Sequence, residues 1–182
     1  IEQLHLRASV GKGYRSANVF VENNFLFASN RVRKLSVAPD LKMESALNWG
    51  ASITGYIPLA GKELVLSAEY YQTDFGQQVV TDVMTDAHAV RFYNLDGRSY
   101  ARNIQLEASC VFFESLDVRG AWRWTDARTT YNGQLMEKPL TSRYKGLITL
   151  GYRTPVYRWQ FDATAQFNRP GTLPTPDAKT PL

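Results

Sequence analysis

The chain has 182 residues, enough for one ordinary domain, and 21 basic against 17 acidic residues give it a formal charge of +4. The basic residues are scattered and form no polybasic run, which argues against a nucleic-acid partner. The single cysteine, Cys110, excludes an internal disulfide and is expected to be buried or lipid-facing. The two histidines, His5 and His88, have no neighbour at ligand spacing, so we expect no metal site and no cofactor.

The dominant pattern along the chain is alternation of apolar and polar residues with a period of two, which predicts β-strands. Seven segments carry it: residues 4–10, 47–57, 64–73, 103–112, 117–124, 145–153 and 159–167. Several are about a dozen residues long once their ends are included, whereas a soluble strand is usually ~5–6 residues and a tilted membrane-spanning strand needs ~9–11. The pattern predicts an all-β, antiparallel, up-and-down meander of about seven long strands.

The links between these strands alternate strictly between short and long. Short turns are predicted at residues 58–62, 114–115 and 154–155, and long connections at 11–45, 75–99 and 127–144. Outer-membrane barrels have short periplasmic turns and long extracellular loops, so we assign residues 1–168 to part of a barrel wall with extracellular loops at those three places. Residues 169–182 are Pro-rich and are expected to be disordered.

The long connections contain structure of their own. Residues 78–82 and 89–93 predict a hairpin, residues 17–28 a short helix, and Asp96-Gly97 and Asn132-Gly133 are turn signals.

The two faces of the predicted sheet differ in charge. The apolar positions of the seven segments contain no Asp, Glu, Lys or Arg, as the lipid-facing side of a barrel requires, because Arg or Lys at mid-membrane costs ~2–4 kcal/mol. The opposite face carries the charged residues that we expect to face the lumen: Arg7, Glu69, Glu107, Asp117, Arg119 and Arg123. A soluble β-sandwich has a similar alternation and remains the alternative fold.

Two of these residues raise the question of catalysis. Glu69 and Glu107 lie on one face, and paired carboxylates can act as the acid and base of a glycosidase. Pairing across strands with Arg119 and Arg123 is the favoured interpretation, because nothing in the sequence supplies an enclosed pocket. We therefore expect no enzymatic activity.

Aromatic residues make up 13% of the chain. Trp122, Trp124, Tyr131, Tyr144 and Tyr152 lie near strand ends, where membrane barrels carry aromatic girdles. In the predicted loops, Phe92, Tyr93 and Tyr131 are candidates for contact with a ligand.

One stretch resembles a known family. Residues 6–18 (Leu-Arg-Ala-Ser-Val-Gly-Lys-Gly-Tyr-Arg-Ser-Ala-Asn), with Glu22 and Asn23 after them, resemble the barrel-strand signature of TonB-dependent outer-membrane receptors, in which a Gly-x-Gly-Phe/Tyr-Arg segment leaves an upgoing strand. Residues 70–75, 78–80 and 92–95 are similar to later barrel strands of the same receptors. The resemblance covers most of residues 4–168.

The resemblance implies active uptake of a scarce nutrient, such as an iron chelate, cobalamin or a sugar, across the bacterial outer membrane. It also implies a barrel of about 22 strands with a plugged lumen and an inner-membrane partner, TonB. The sequence shows no plug before Ile1 and no terminal aromatic strand, so we expect a fragment of the barrel. Seven strands would leave two bare edges and an apolar face, and we expect the isolated fragment to self-associate.

Two rival functions remain open on the residues alone. An aromatic-rich β-sandwich could bind carbohydrate or protein, and a β-structured hydrolase could use Glu69 and Glu107. A plug-like domain encoded upstream would favour the receptor, whereas loss of a measured hydrolysis in Glu107→Gln would favour the hydrolase.

Overall fold

The computed structural model describes residues 3–28, 30, 32–59, 61–86, 88–113, 115–156 and 158–172. The seven strands of its main sheet are β1 (Leu4–Arg15), β3 (Glu44–Leu59), β4 (Lys62–Gln77), β7 (Ser99–Phe112), β8 (Leu116–Tyr131), β10 (Tyr144–Arg153) and β11 (Gln160–Asn168). A short strand, β9 (Gln134–Glu137), pairs with the end of β8. Most of the Pro-rich segment 169–182 lies outside the described residues.

The main sheet is an antiparallel meander in the order β1-β3-β4-β7-β8-β10-β11. Its strands are nine to sixteen residues long, which is well above the soluble average of ~5–6. The predicted all-β meander of seven long strands is thus confirmed. Short turns join β3 to β4, β7 to β8 and β10 to β11, and the long connections all leave from the opposite end of the sheet.

The strands extend further than alternation indicated. β1 continues to Arg15, β4 to Gln77 and β8 to Tyr131, so the long connections are residues 16–43, 78–98 and 132–143. The added residues pair along the backbone without an apolar face; Gly11 and Gly13, for example, pair with Asn48 and Ala46. Alternation misses such strand ends because backbone pairing does not require a buried side chain.

The long connections fold into a small unit, which we call the loop cap. It contains a helix, α1 (Val19–Glu22), a 3-10 turn (Asn24–Phe27), and a three-stranded sheet of β2 (Lys34–Val37), β5 (Val79–Asp82) and β6 (Ala89–Asn94). β5 and β6 are antiparallel, as predicted, and β2 is parallel to β6. In the described part of the chain, no helix has the length and apolar character needed to cross a membrane.

The main sheet is a single layer. Among the described residues no second sheet packs face to face against it, so the β-sandwich alternative is wrong. The sheet is open, because β1 and β11 end the strand order without pairing with each other. The buried core lies mainly in the loop cap and not in the sheet.

Candidate functional site

One face of the main sheet is apolar. We define this apolar face by a row of paired positions that crosses all seven strands: Leu6, Ile53, Ala68, Leu106, Trp122, Gly146 and Phe167. Its large side chains are open to the surroundings, with Leu6 72% and Phe167 57% exposed. Such a wide exposed apolar surface marks contact with a membrane or another protein.

Aromatic residues border the apolar face at both ends. Towards the loop cap, Trp49 packs on Tyr70 with ring centres 5.5 Å apart, and Trp122 on Tyr144 at 6.1 Å. Towards the short turns, Tyr152 pairs with Phe161. On β8 the apolar-face positions from Leu116 to Trp124 carry no charge and extend over nine residues, about 27 Å along the strand, which at the usual tilt of ~40° covers about 20 Å of an apolar band ~25 Å tall.

Tyr131 is an exception to the predicted girdle. It lies beyond the apolar run of β8, on the opposite side of the strand, and is only 6% exposed. Its ring packs with Val80 and Met84 of the loop cap. The assignment of Tyr131 to an interfacial girdle was therefore wrong, because the strand continues past the expected membrane edge.

The second face of the sheet, the polar face, carries the six charged residues expected there. The register places Glu69 opposite Gln105, and Gln105 opposite Arg123, with Arg7 at the far edge of the same row. Glu107, Asp117 and Arg119 follow in rows nearer the short turns. The structure brings all six to one side of the sheet.

The expected ion pairs across strands are absent among the described residues. Arg119 pairs with Asp117 on its own strand, 3.3 Å away, and Gln105 donates to Glu107. The register explains the difference, because Glu107 lies opposite Ala121 and the arginines occupy diagonal positions. Glu69 and Glu107 stand on an open sheet face, and the described residues contain no cluster of three acidic, histidine or cysteine side chains able to hold a metal ion.

The loop cap is held by two small apolar cores. Val19 of α1 packs with Val90 and Phe92 of β6, and Val80 and Met84 pack with Tyr131. Phe92 is 1% exposed, so the expectation that it contacts a ligand was wrong: it is a core residue. Tyr93 is half-buried, and its hydroxyl accepts a hydrogen bond from the Asn132 amide at 3.5 Å.

A buried carboxylate closes the β5–β6 turn. The Asp82 side chain is fully buried and accepts hydrogen bonds from the Met84 and Thr85 amides at 3.0 Å, from the Thr85 hydroxyl at 2.6 Å and from Arg91 at 3.0 Å. Burial by itself disfavours the charged form, but the hydrogen bonds from Thr85, Met84 and Arg91 outweigh it and lower the pKa of Asp82. Asp82 is therefore ionised at neutral pH.

A second carboxylate ties the loop cap to the sheet. Glu44, at the start of β3, accepts hydrogen bonds from Arg15 of β1 at 2.8 Å and from the Val79 amide of β5 at 2.8 Å. Arg15 also reaches Glu22 of α1 at 3.2 Å. One network thus connects two strands of the main sheet, β1 and β3, to the first and second long connections.

A cavity of about 530 Å³ lies where the three long connections meet. Its polar lining includes Arg15, Glu44, Gln78, Thr81 and Lys138, and its apolar lining includes Tyr131. The Gln78 side-chain oxygen is buried and has no hydrogen-bond partner within the described ranges. A cavity of this size suits a small molecule. Because the Gln78 oxygen has no partner, the side chain loses no hydrogen bond at that atom if it turns into the cavity towards a ligand donor.

Tyr131 belongs to the lining of the same cavity. Burial raises the pKa of Tyr131 to about 12, so its hydroxyl stays protonated at neutral pH. Among the three aromatic candidates from the sequence, Tyr131 lines the cavity, whereas Phe92 and Tyr93 do not.

Sequence reasoning missed Asp82, Glu44 and Gln78. Asp82 stands in an otherwise apolar run, Val-Val-Thr-Asp-Val-Met, and such a charge within a core segment is a usable signal for a buried turn-closing group. Glu44 has no comparable local signal, because its partners Arg15 and Val79 are 29 and 35 residues away in the sequence. Gln78 has none either, because its side-chain oxygen has no hydrogen-bond partner among the described residues.

Comparison with protein families gives a match over almost the whole chain. The sequence model of the family described as TonB dependent receptor-like, beta-barrel aligns with residues 1–181. Searches of the curated proteins and of the solved structures found no significant match. The family match includes all seven strands of the main sheet and the three long connections.

Proposed function

Because this chain belongs to the TonB-dependent receptor β-barrel family, whose members are bacterial outer-membrane receptors for nutrient uptake, we propose that its main sheet is part of the wall of such a barrel. In this proposal the complete gene product takes up a scarce nutrient, namely an iron chelate, cobalamin or a sugar. The observation that carries the proposal is the uncharged, aromatic-bordered face formed by seven long strands.

The orientation of the sheet follows from the energetic cost of each alternative. The apolar face meets lipid, where it buries residues such as Leu6 and Phe167 that are otherwise exposed. The polar face meets the lumen, where Arg7, Glu69, Glu107, Asp117, Arg119 and Arg123 stay hydrated or contact a plug. The reverse orientation would place these charges in the membrane at ~2–4 kcal/mol for each Arg near its midplane.

The loop cap then lies on the extracellular side, above the lumen. Its cavity is the candidate contact point for the nutrient, with Gln78 as acceptor and Tyr131 as donor. The cavity is lined by two cations, Arg15 and Lys138, and by two carboxylates, Glu22 and Glu44, and Arg15 pairs with both carboxylates. The lining is therefore neutral overall, which favours a polar nutrient without a large net charge.

Uptake requires partners that this sheet does not supply. Seven strands do not close a barrel of ~22 strands, so the complete receptor needs further strands, a plug domain in the lumen and TonB as the energy-coupling partner. The open edges β1 and β11 would pair with neighbouring strands of the same barrel. Produced alone, the chain is expected to self-associate through these edges.

Adjacent cysteine substitutions test the orientation. Leu106 lies on the apolar face and Glu107 on the polar face of β7. In a Cys110→Ala background, a small membrane-impermeant thiol reagent should label Glu107→Cys in intact outer membranes and leave Leu106→Cys unlabelled. Equal labelling of the two sites, or labelling of Leu106→Cys alone, would contradict the proposed orientation; labelling in denaturant is the control for thiol reactivity.

Uptake itself is tested in cells that lack the matching receptors. Cells expressing the complete gene product should grow on one of the three nutrient classes at limiting concentration, and deletion of tonB should abolish that growth. Growth that persists without TonB would contradict the transport mechanism, and growth on none of the three would contradict the proposed nutrient classes.

A further inference from the structure

Charged residues appear on the apolar face immediately beyond its aromatic border. On several strands, the first positions past the uncharged run towards the loop cap are polar or charged: Lys12, Gln72, Arg102, Asp126 and Arg169. Arg98 and Arg128 lie further along the same face. We call the cations Lys12, Arg98, Arg102, Arg128 and Arg169 the basic collar.

Four of the five collar cations lie over tyrosine rings. Lys12 lies 5.3 Å from the centre of the Tyr14 ring, and Arg169 lies 5.7 Å from that of Tyr144. Arg98 and Arg102 lie 5.9 Å and 4.6 Å from the centre of the Tyr100 ring. A guanidinium that rests on a ring by its flat face keeps its N–H edge free to donate to another group.

The neighbouring carboxylates are already occupied. Asp126 accepts from Arg128 at 3.0 Å and from the Tyr100 hydroxyl, and Asp74 accepts from Gln72 at 2.8 Å. In the part of the chain that the structure describes, none of the four ring-bound cations forms an ion pair with a carboxylate. Arg102 is half-buried, and its Nε atom has no acceptor within the described residues. The collar thus carries a surplus of positive charge that the protein itself does not neutralise.

An apolar depression lies below the collar on the same face. It is a shallow, open depression with a volume of about 700 Å³, and its lining includes Ile53, Leu66, Leu106 and Trp122, with Gly120 among the smaller residues. Leu106 is four residues from Arg102 along β7, which is about 14 Å. The cations of the collar suit the charged headgroup of a lipid molecule, and the apolar depression suits one of its acyl chains.

We propose that the basic collar binds the phosphate-bearing headgroups of anionic lipids in the outer leaflet, with an acyl chain in the depression beneath. Arginine is suited to this partner because its planar N–H groups form paired hydrogen bonds with phosphate oxygens. The inference rests on the proposed orientation of the apolar face towards lipid. It goes beyond that orientation by assigning a lipid class to named residues.

The test uses the complete gene product in nanodiscs of phosphatidylcholine doped with phosphatidylglycerol, with retained lipid measured by native mass spectrometry. The wild type should retain phosphatidylglycerol preferentially. Arg102→Gln and Arg169→Gln should each weaken retention about fivefold, the equivalent of about 1 kcal/mol per cation at an anionic surface, and the double variant more. Arg123→Gln, on the polar face, is the matched control and should retain as the wild type does.

Three outcomes would overturn the inference: equal retention of the two lipids by the wild type, equal loss in Arg123→Gln, or displacement of the lipid by millimolar inorganic phosphate. Arg102→Lys with Arg169→Lys keeps the charge and should keep most of the retention. Thermal unfolding in pure phosphatidylcholine discs checks that every variant is folded. If the wild-type protein does not insert into the discs, the proposed orientation of the apolar face is contradicted. If it inserts but retains both lipids equally, the lipid-binding role of the basic collar is contradicted and the orientation is not.

Discussion

Replacing the buried carboxylate of the loop cap should loosen the cap without unfolding the sheet. Asp82→Asn keeps the size of the side chain and an oxygen that can still accept from the Met84 and Thr85 amides. The Thr85 hydroxyl can turn and accept from the new amide, but Arg91 is a donor only and loses its acceptor. The substitution therefore removes one charged contact and weakens two others.

The size of the effect follows from these contacts. A hydrogen bond to a charged group contributes about 1.5–3 kcal/mol, and the Arg91 side chain is 44% exposed, which places its share near the lower limit. With the weaker amide contacts added, we expect local opening of the cap to become easier by about 2 kcal/mol, a factor of about 30. Asp82→Ala also leaves two amides without an acceptor and should have a larger effect.

Hydrogen exchange of the β5 and β6 amides measures this opening directly. Exchange in Asp82→Asn should be about 30-fold faster in the cap and unchanged in β7 and β8. Asp96→Asn, an exposed carboxylate in the same connection, is the matched control and should exchange as the wild type does. An acceleration below about threefold in Asp82→Asn would refute the view that Asp82 holds the cap closed.

The same residue sets a dependence on pH. Because the pKa of Asp82 is lowered in the folded cap, its contribution is fully present above the unfolded value of ~3.9 and is lost as the pH falls through the lower folded value. The difference between the wild type and Asp82→Asn should therefore be constant from pH 5 to 7 and shrink below about pH 4.

Three further substitutions test the faces, the cavity and a turn. Leu106→Lys should lower the free energy of unfolding in lipid vesicles by ~2–4 kcal/mol, and its neighbour Gln105→Lys by far less; equal effects would contradict the assignment of faces. Gln78→Leu removes an unpaired buried acceptor, so hydrogen exchange of the cap amides should not become faster, whereas uptake of the identified nutrient should fall. Uptake by this variant at the wild-type rate would contradict a role of the cavity in transport. Gly133, with φ of 79°, should not tolerate a side chain: Gly133→Ala should destabilise the β8–β9 hairpin by about 1–2 kcal/mol, measured by exchange of the β9 amides. Gly120→Ala, where a side chain meets open space, is its control.

Alternation was sufficient to predict the faces of the sheet but not its register. A period of two places Glu107 and Arg119 on the same side of neighbouring strands and says nothing about which residues lie opposite each other. The predicted pairing of glutamates with arginines was wrong for this reason, since the register puts Ala121 opposite Glu107. Local turn chemistry was more informative: Asn132 and Gly133, with φ of 48° and 79°, form the tight turn into β9 that their sequence indicates.

The loop cap was predictable in its pieces and not in its packing. The β5–β6 hairpin and a helix within residues 17–28 were both confirmed. The contact between Val19 and Phe92 joins residues from different connections, and that between Val80 and Tyr131 joins a connection to the end of β8; no local pattern in the sequence indicates either contact. Hence Phe92 was mistaken for a ligand contact although it is a core residue.

The distribution of burial gives a physical reason for the two-part organisation of the chain. A soluble sheet buries at least one face, yet here the edge strands β1 and β11 leave both faces exposed and the long central strands β4 and β8 are mainly half-buried, while the long connections enclose the well-packed cores. Such a sheet fits the proposed position, with lipid on one face and a hydrated or plugged lumen on the other, and it leaves the cap to fold around its own residues. Glu44 and Tyr131, at the end of β8, are places where the cap contacts the main sheet through a hydrogen bond and through apolar packing. We therefore expect a displacement of the cap to shift these two residues of the sheet first.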